Sequence, residues 1–245
     1  MKCRFDKNYT VGPSDCDHTS KMSLPAAFDI FMDMAAEHAE NLGIGATFMY
    51  KEHKFWLTAK TRICFRRRPR MMEKVILSTW PLKPREIQEI RDYSITDTGG
   101  NVLALGKTQW AVLDTDTGSL IKIEELFDAD WELETEKVLD EPFARISEDI
   151  TDCEEAGTYV IRSVDIDLGG HMNNAAYVRA LFAAFTTKEL DELRINDCEV
   201  CYKKSCYEGD ALKFFRRKTD SGYEVIVKGN GGETAILAKL ARTEI

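Results

Sequence analysis

Two stretches decide the fold: VDIDLGGHMNN, residues 164–174, and SDCDHTSKMSL, residues 14–24. Set in register without a gap, Asp165 falls on Asp15, Asp167 on Asp17 and Met172 on Met22. Each stretch leads into a segment with helical spacing of its apolar residues. In LPAAFDIFMDMAAEHAENL (24–42) these are Phe28, Phe31, Met32, Ala35 and Ala39, with Pro25 suited to a first turn and Gly43 to a helix end. In NNAAYVRALFAAFTTKEL (173–190) they are Tyr177, Val178, Leu181, Phe182 and Phe185.

Strand-like runs follow each helix. After the first come KFWLTAKTRICFR (54–66), KVILSTWP (74–81), EIQEIRDYSITD (86–97) and VLALGKTQWAVLD (102–114), the last two joined by the turn signal TGG. After the second come RINDCEVCYKKSC (194–206), ALKFFRRKT (211–219), YEVIVKG (223–229) and TAILAKLAR (234–242), separated by YEGD, DSG and NGGE. One helix and four antiparallel strands, twice over, predict an α+β fold made of two copies of one unit. Between them, 120–157 is strongly acidic and reads as a surface connector pinned by Trp131, Leu133 and Phe143. The expected division is a first unit at 1–119, the connector at 120–157 and a second unit at 158–245.

Composition narrows the function classes. The 245 residues are 44% hydrophobic, enough for one large or two modest cores. A net charge of −9 argues against a broad nucleic-acid footprint, while leaving room for a local basic patch that docks an acidic partner. No apolar stretch approaches the ~20 residues of a membrane span, and the opening MKCRFDKNYTVG has no signal-peptide core. Seven scattered cysteines read as reduced thiols, which points to a cytoplasmic protein. Cys198 and Cys201 form a lone CxxC in a segment read as strand, where positions three apart face opposite ways and make a poor zinc or redox pair.

The polar cluster before the second helix has two readings. As a cap, Asn173 or Asn174 satisfies the first free amides, Asp165 and Asp167 shape the turn, and Gly169 and Gly170 supply unusual backbone angles. That leaves His171 unexplained, since Lys21 stands opposite it in the first copy. As a catalytic centre, the helix N-terminus holds a carbonyl oxygen as negative charge develops on it. A carboxylate beside it activates water or attacks, and an imidazole orients or relays the proton. These parts suit acyl transfer to water, in the second copy alone. A metal site on Asp165, Asp167 and His171 is the rival, but four histidines without H-x3-H or H-E-x2-H spacing speak against it. Neither a metal nor an organic cofactor is expected.

DIDLGGHMNNAAY (165–177), together with FWLTAKTRICFRRRPRMMEKVILSTWP, RDYSITDTGGNVLA and QWAVLDTDTG, resembles the acyl-acyl carrier protein thioesterases of bacteria and plant plastids. The resemblance covers nearly the whole chain. It implies a tandem hotdog fold, each unit a long helix wrapped by an antiparallel sheet, and hydrolysis of fatty acyl thioesters on acyl carrier protein in lipid metabolism. It places the family's catalytic aspartate on Asp167 and its catalytic histidine on His171. Where the family has asparagine two residues before that histidine, this chain has Gly169. Where it has a glutamate preceding a cysteine, YKKSCYEGD has Ser205 and Cys206. Asp167, His171, Ser205 and Cys206 are therefore the candidate catalytic residues, with Gly169, Gly170, Asn173 and Asn174 around the bound substrate. Cys206 is open to two readings, a nucleophile or a small buried side chain at a strand end. The run Arg66, Arg67, Arg68 and Arg70 likewise reads either as a charged sheet edge or as the docking patch for the acidic carrier. Acyl-CoA hydrolysis and a non-catalytic acyl-binding protein stand as alternatives. A hotdog dehydratase is weakened by the lack of a His-Phe-Pro-type segment. Because a tandem repeat supplies within one chain the pairing that single hotdogs gain by dimerising, a monomer or a homodimer is expected.

Overall fold

The structure, a computed structural model, describes residues 2–243. The chain divides into two compact units, Met1–Glu141 and Pro142–Ile245. In the first, β1 (Phe5–Thr10) leads through a 3-10 turn at Pro13–Asp15 into α1 (Leu24–Asn41) and the short α2 (Ala46–Lys51). Strands β2 (Lys54–Phe65), β3 (Lys74–Pro81), β4 (Glu89–Asp97) and β5 (Val102–Asp114) follow, in the antiparallel order β1-β3-β4-β5-β2. The second unit repeats this with β6 (Glu154–Val160), a 3-10 turn at Ser163–Asp165, α3 (Asn174–Ala183), α4 (Thr187–Leu193), β7 (Asp197–Tyr202), β8 (Ala211–Thr219), β9 (Gly222–Lys228) and β10 (Thr234–Ala241). Its antiparallel order is β6-β8-β9-β10-β7, the same arrangement element for element. The fold is α+β and each unit is a hotdog.

In the first unit Ser23 caps α1, its hydroxyl accepting from the Ala26 amide. The helix buries Ala27, Phe28, Phe31, Met34 and Ala35 against the sheet. Gly106 in β5 makes the approach possible: a Cβ there would stand 2.4 Å from the Phe31 ring. Phe31 fills that space and stacks on Tyr93 of β4, ring centroids 4.6 Å apart. Burying one such aromatic stabilises by roughly 2–3 kcal/mol. In the second unit α3 turns Ala175, Ala176, Tyr177, Val178, Ala180 and Leu181 inward.

Three features differ from the sequence reading. Each unit has a fifth strand, β1 or β6, ahead of its helix; both are largely exposed edge strands with no apolar alternation to reveal them. The second helix does not run through 173–190. It stops at Ala183, and Thr186 opens α4 with a capping box in which its hydroxyl accepts from the Glu189 amide while Glu189 accepts from Thr186. The acidic segment 120–157 is not a connector separate from both units. Its first part lies on the first unit, anchored by the buried Ile123 and Leu139 and by the Val138 amide donating to Asp92 at 3.0 Å. From Glu154 it is already strand β6. Trp131, Leu133 and Phe143 are half-buried, Trp131 edge-on to Phe127.

Candidate active site

The turn before α3 is built around Asp165. Its carboxylate accepts from the Tyr159 hydroxyl of β6, at 3.0 and 2.9 Å, and from the Arg162 amide at 2.9 Å. This burial is structural, and it keeps Asp165 from converging with Asp167 and His171. Among the described residues no three such groups gather as a metal site. The chain then reverses through a tight loop. Asp167 donates its amide to His171 O (3.1 Å), Gly170 donates to Asp167 O (3.0 Å), and Gly169 donates to Asp167 Oδ1 (2.8 Å). Gly170 has φ +73°, a left-handed conformation that suits glycine.

The loop places a carboxylate and an imidazole together at the start of α3. His171 Nδ1 lies 3.7 Å from Asp167 Oδ1, and both side chains are about a quarter exposed, at 21% and 27%. Gly169 is what admits the ring. A Cβ on residue 169 would stand 2.7 Å from His171 Nε2 and 3.1 Å from Asp167 Oδ1. The imidazole thus occupies the space that a side chain at 169 would need.

At the helix start, the Met172 amide donates to Cys206 O, the Asn173 amide to Asp165 O and the Ala175 amide to Asn173 Oδ1, each at 2.8 Å. Asn173 is the cap. Among the described residues this leaves the Asn174 and Ala176 amides of the first helical turn without an acceptor. Asn174 O itself accepts from the Tyr202 hydroxyl at 3.1 Å. Ser205 is exposed beside this loop. Cys206 is buried, its amide accepted by the Tyr177 hydroxyl at 3.0 Å. Burial pushes the Cys206 thiol above its ordinary range, with the Tyr177 contact pulling the other way. A buried thiol that resists ionisation packs well and attacks poorly.

The first unit has the same loop bond for bond. Asp15 accepts from the Tyr9 hydroxyl and the Gly12 amide; Asp17 N donates to Lys21 O, Ser20 N to Asp17 O and Thr19 N to Asp17 Oδ1. Ser20, opposite Gly170, takes the same left-handed turn with φ +59°. The Met22 amide donates to Pro69 O, as Met172 does to Cys206 O, and the Arg70 and Tyr207 amides donate to Glu73 and Asp210. Pro69 therefore corresponds to Cys206, and Arg68 to Ser205. Here the copies part. Arg68 reaches into the loop, donating to Asp17, to Met22 O at 2.6 Å and to Lys21 O at 2.9 Å. In the first unit the aspartate is neutralised; in the second it faces His171.

Residues 2–130 match the family model of the acyl-ACP thioesterase N-terminal domain, and 148–238 that of the C-terminal domain. The chain belongs to the acyl-ACP thioesterase family. Curated relatives include oleoyl-acyl carrier protein thioesterase 1, chloroplastic, of Arabidopsis thaliana, 22% identical over 85% of this chain and 62% of its own length. Another is the palmitoyl-acyl carrier protein thioesterase, chloroplastic, of Cuphea hookeriana, 22% identical over 89% of this chain and 55% of its own. The chain thus spans less than two thirds of these relatives. An acyl-ACP thioesterase from Bacteroides thetaiotaomicron superposes with a TM-score of 0.82 at 21% identity, covering 97% of both chains. A 12:0-ACP thioesterase from Umbellularia californica gives 0.78 at 17%, covering 97% of this chain and 96% of its own. At these identities the structures establish a shared fold.

Of the arginine run in this thioesterase-family chain, Arg66, Arg67 and Arg70 are exposed. Arg67 is forked onto Glu73 at 2.9 and 2.6 Å, and Arg68 is turned inward as described. The sequence reading missed that Arg68 partners Asp17. Aligning Glu73 with Asp210 shows it, because that places Arg68 opposite Ser205. It also missed that Tyr9 and Tyr159 extend the repeat upstream, in register with their aspartates.

Proposed function

We propose that this chain hydrolyses fatty acyl thioesters of acyl carrier protein. The observation that carries this reading is the pairing of Asp167 with His171 at the start of α3, in a loop whose sister copy has its aspartate bound by Arg68. Asp167 takes a proton from a water molecule whose oxygen attacks the thioester carbonyl; the Asn174 amide supports the oxyanion. The C–S bond then breaks, and the sulfur leaves with a proton as the carrier thiol. His171 holds the carboxylate and the water in line. Ser205 leaves the loop open where an arginine would close it, and Gly169, Gly170 and Asn173 shape the cradle. No metal or organic cofactor enters this chemistry, and Cys206 acts through packing.

Among the described residues no helix is long and apolar enough to cross a membrane. Work on carrier-bound substrate in the cytoplasm, by a monomer or a homodimer, fits this reading. The test is Asp167→Asn. The amide keeps a hydrogen-bond acceptor for the Gly169 amide, so the protein should fold, while turnover of acyl carrier protein thioester falls at least about a hundredfold. Near wild-type turnover in folded Asp167→Asn protein would overturn the assignment.

A further inference from the structure

The loop that carries Asp167 is ringed by large apolar side chains in solvent. Leu168 is 99% exposed, Val164 85%, Tyr207 57% and Val160 37%. They lie on adjoining segments. Val160 ends β6, Val164 sits in the 3-10 turn, and Leu168 lies between Asp167 and Gly169. The Gly209 amide donates to Ile161 O and the Ile161 amide to Asp210 O, which ties the Tyr207 loop to the end of β6. Single exposed hydrophobics are ordinary; several around one functional loop mark a contact surface.

The sister loop is an internal control. It has the same backbone and the same hydrogen bonds, yet Thr10, Ser14, His18 and Arg70 stand at these four positions. Its exposed apolar residues, Met71 and Met72, fall instead where the second unit has Glu208 and Gly209. The loop therefore folds without an apolar collar, and the collar marks the copy that has the Asp167–His171 pair. Two arginines stand beside it. Arg162, exposed, lies between Val160 and Val164, and the Arg162 and Arg179 charges both act on the Tyr159 hydroxyl. The carboxylates of Asp165 and Asp210 are turned onto backbone and tyrosine partners within the unit, leaving Glu208 as the exposed acid of the Tyr207 loop.

We propose that the collar of Val160, Val164, Leu168 and Tyr207, with Arg162 at its edge, is where an acidic carrier protein docks to deliver its thioester to Asp167. This rests on the thioesterase reading and adds the surface. An apolar centre with a basic edge matches an acidic partner with an apolar contact of its own, and gives that partner a place to land on a chain whose net charge of −9 otherwise repels it. The collar takes the role in place of the arginine run, in which Arg67 and Arg68 are already paired within the first unit.

The experiment compares acyl carrier protein thioester with acyl-pantetheine, the same thioester without the protein. The variants are Val164→Ser with Leu168→Ser, Arg162→Gln alone, and Arg66→Gln with Arg70→Gln. The serine pair should lower kcat/KM on the carrier substrate about tenfold or more and leave acyl-pantetheine within about twofold. Arg162→Gln should lower it severalfold at low salt, the difference fading as salt rises. Arg66→Gln with Arg70→Gln should change neither. Equal losses on both substrates, no loss on the carrier, or a loss confined to the Arg66 and Arg70 variant would each overturn the collar. If the wild type hydrolyses neither substrate, the thioesterase reading itself falls. Binding of the unacylated carrier to wild type and to the serine pair then still decides the surface, since the collar requires weaker binding by the variant.

Discussion

At the scale of single residues, the two copies differ through very few side chains. Asp17 and Asp167 sit on the same loop with the same backbone bonds, and their environments diverge at Arg68 against Ser205, at Lys21 against His171, and at Thr19, whose hydroxyl donates to Asp17 Oδ1 at 2.6 Å, against Gly169. Burial alone would raise the Asp17 carboxyl, but hydrogen bonds from Thr19 and Arg68 outweigh it and hold it below its ordinary range. Arg68→Ser should therefore destabilise the protein by about 1–3 kcal/mol at neutral pH, because it removes a partly buried charge pair and two bonds to carbonyls. Asp17 is the case of a lowered folded value, so its contribution is present above the ordinary carboxylate range and disappears as pH falls through the lowered value. The gap between Arg68→Ser and wild type should narrow in acid, as urea unfolding at about pH 7 and about pH 3 would show. A gap independent of pH would mean the arginine acts only through its carbonyl contacts. Hydrolysis should be unchanged. The pairing of Asp15 with Asp165 and of Asp17 with Asp167 was legible in the sequence, as was the odd histidine. The role of Arg68 was not, since it joins segments far apart in the chain. Gly169 read as a missing side chain; the structure shows it as room for the His171 ring.

At the scale of elements, β2 to β5 and β7 to β10 were readable because their buried faces leave apolar periodicity. β1 and β6 were not, because FDKNYT and EEAGTYV are edge strands with mostly exposed side chains. Their tyrosines do the specific job: Tyr9 and Tyr159 bond the aspartates that shape the loops. The second helix misled by continuity. Apolar residues keep helical spacing as far as Phe185, yet two β-branched threonines follow, and Thr186 offers its side chain to a new helix start. The Glu189 carboxyl closes that box and also takes Arg216 at 2.7 Å, and these partners, the Thr186 amide foremost, hold it down to about 2. Thr186→Ala should cost about 1 kcal/mol in global stability. It should also fray α4, seen as faster amide exchange over Thr187–Leu193, while α3 keeps its protection. Equal exchange in both helices would show that the break at 184–186 does not depend on the cap.

At the scale of the whole molecule, duplication has let one copy keep an open aspartate while the other keeps a buried polar cluster. Between α1 and the sheet lie His38 of α1 and Glu89 and Arg91 of β4, all buried; Arg91 Nη1 is 2.9 Å from His38 Nδ1, and Arg91 Nε is 3.6 Å from Glu89 Oε1. Glu89 is 1% exposed, and that Oε1 has no hydrogen-bond partner. Burial pushes Glu89 up to about 7, the nearby Arg91 charge countering only in part. Burial, with Arg91, pushes His38 down to about 4. The two act oppositely on stability. Between pH 4.5 and about 7 the folded protein keeps a proton on Glu89 that the unfolded chain has lost, so stability falls as pH rises through that window. Between about 4 and 6.5 the unfolded chain binds a proton on His38 that the folded protein refuses, so stability rises with pH there. The opposition hides both effects in the wild type over most of the acid range. Glu89→Gln uncovers them. The amide side chain does not ionise, so the stability of the variant relative to wild type should climb as pH rises from 4.5 to about 7 and level off above. A shift of this size corresponds to roughly 3 kcal/mol over the window. Urea midpoints for both proteins at half-unit pH steps would trace the curve. A difference that stays flat above pH 4.5 would mean that Glu89 is a carboxylate in the folded core as it is in the unfolded chain, and would overturn the effect of burial.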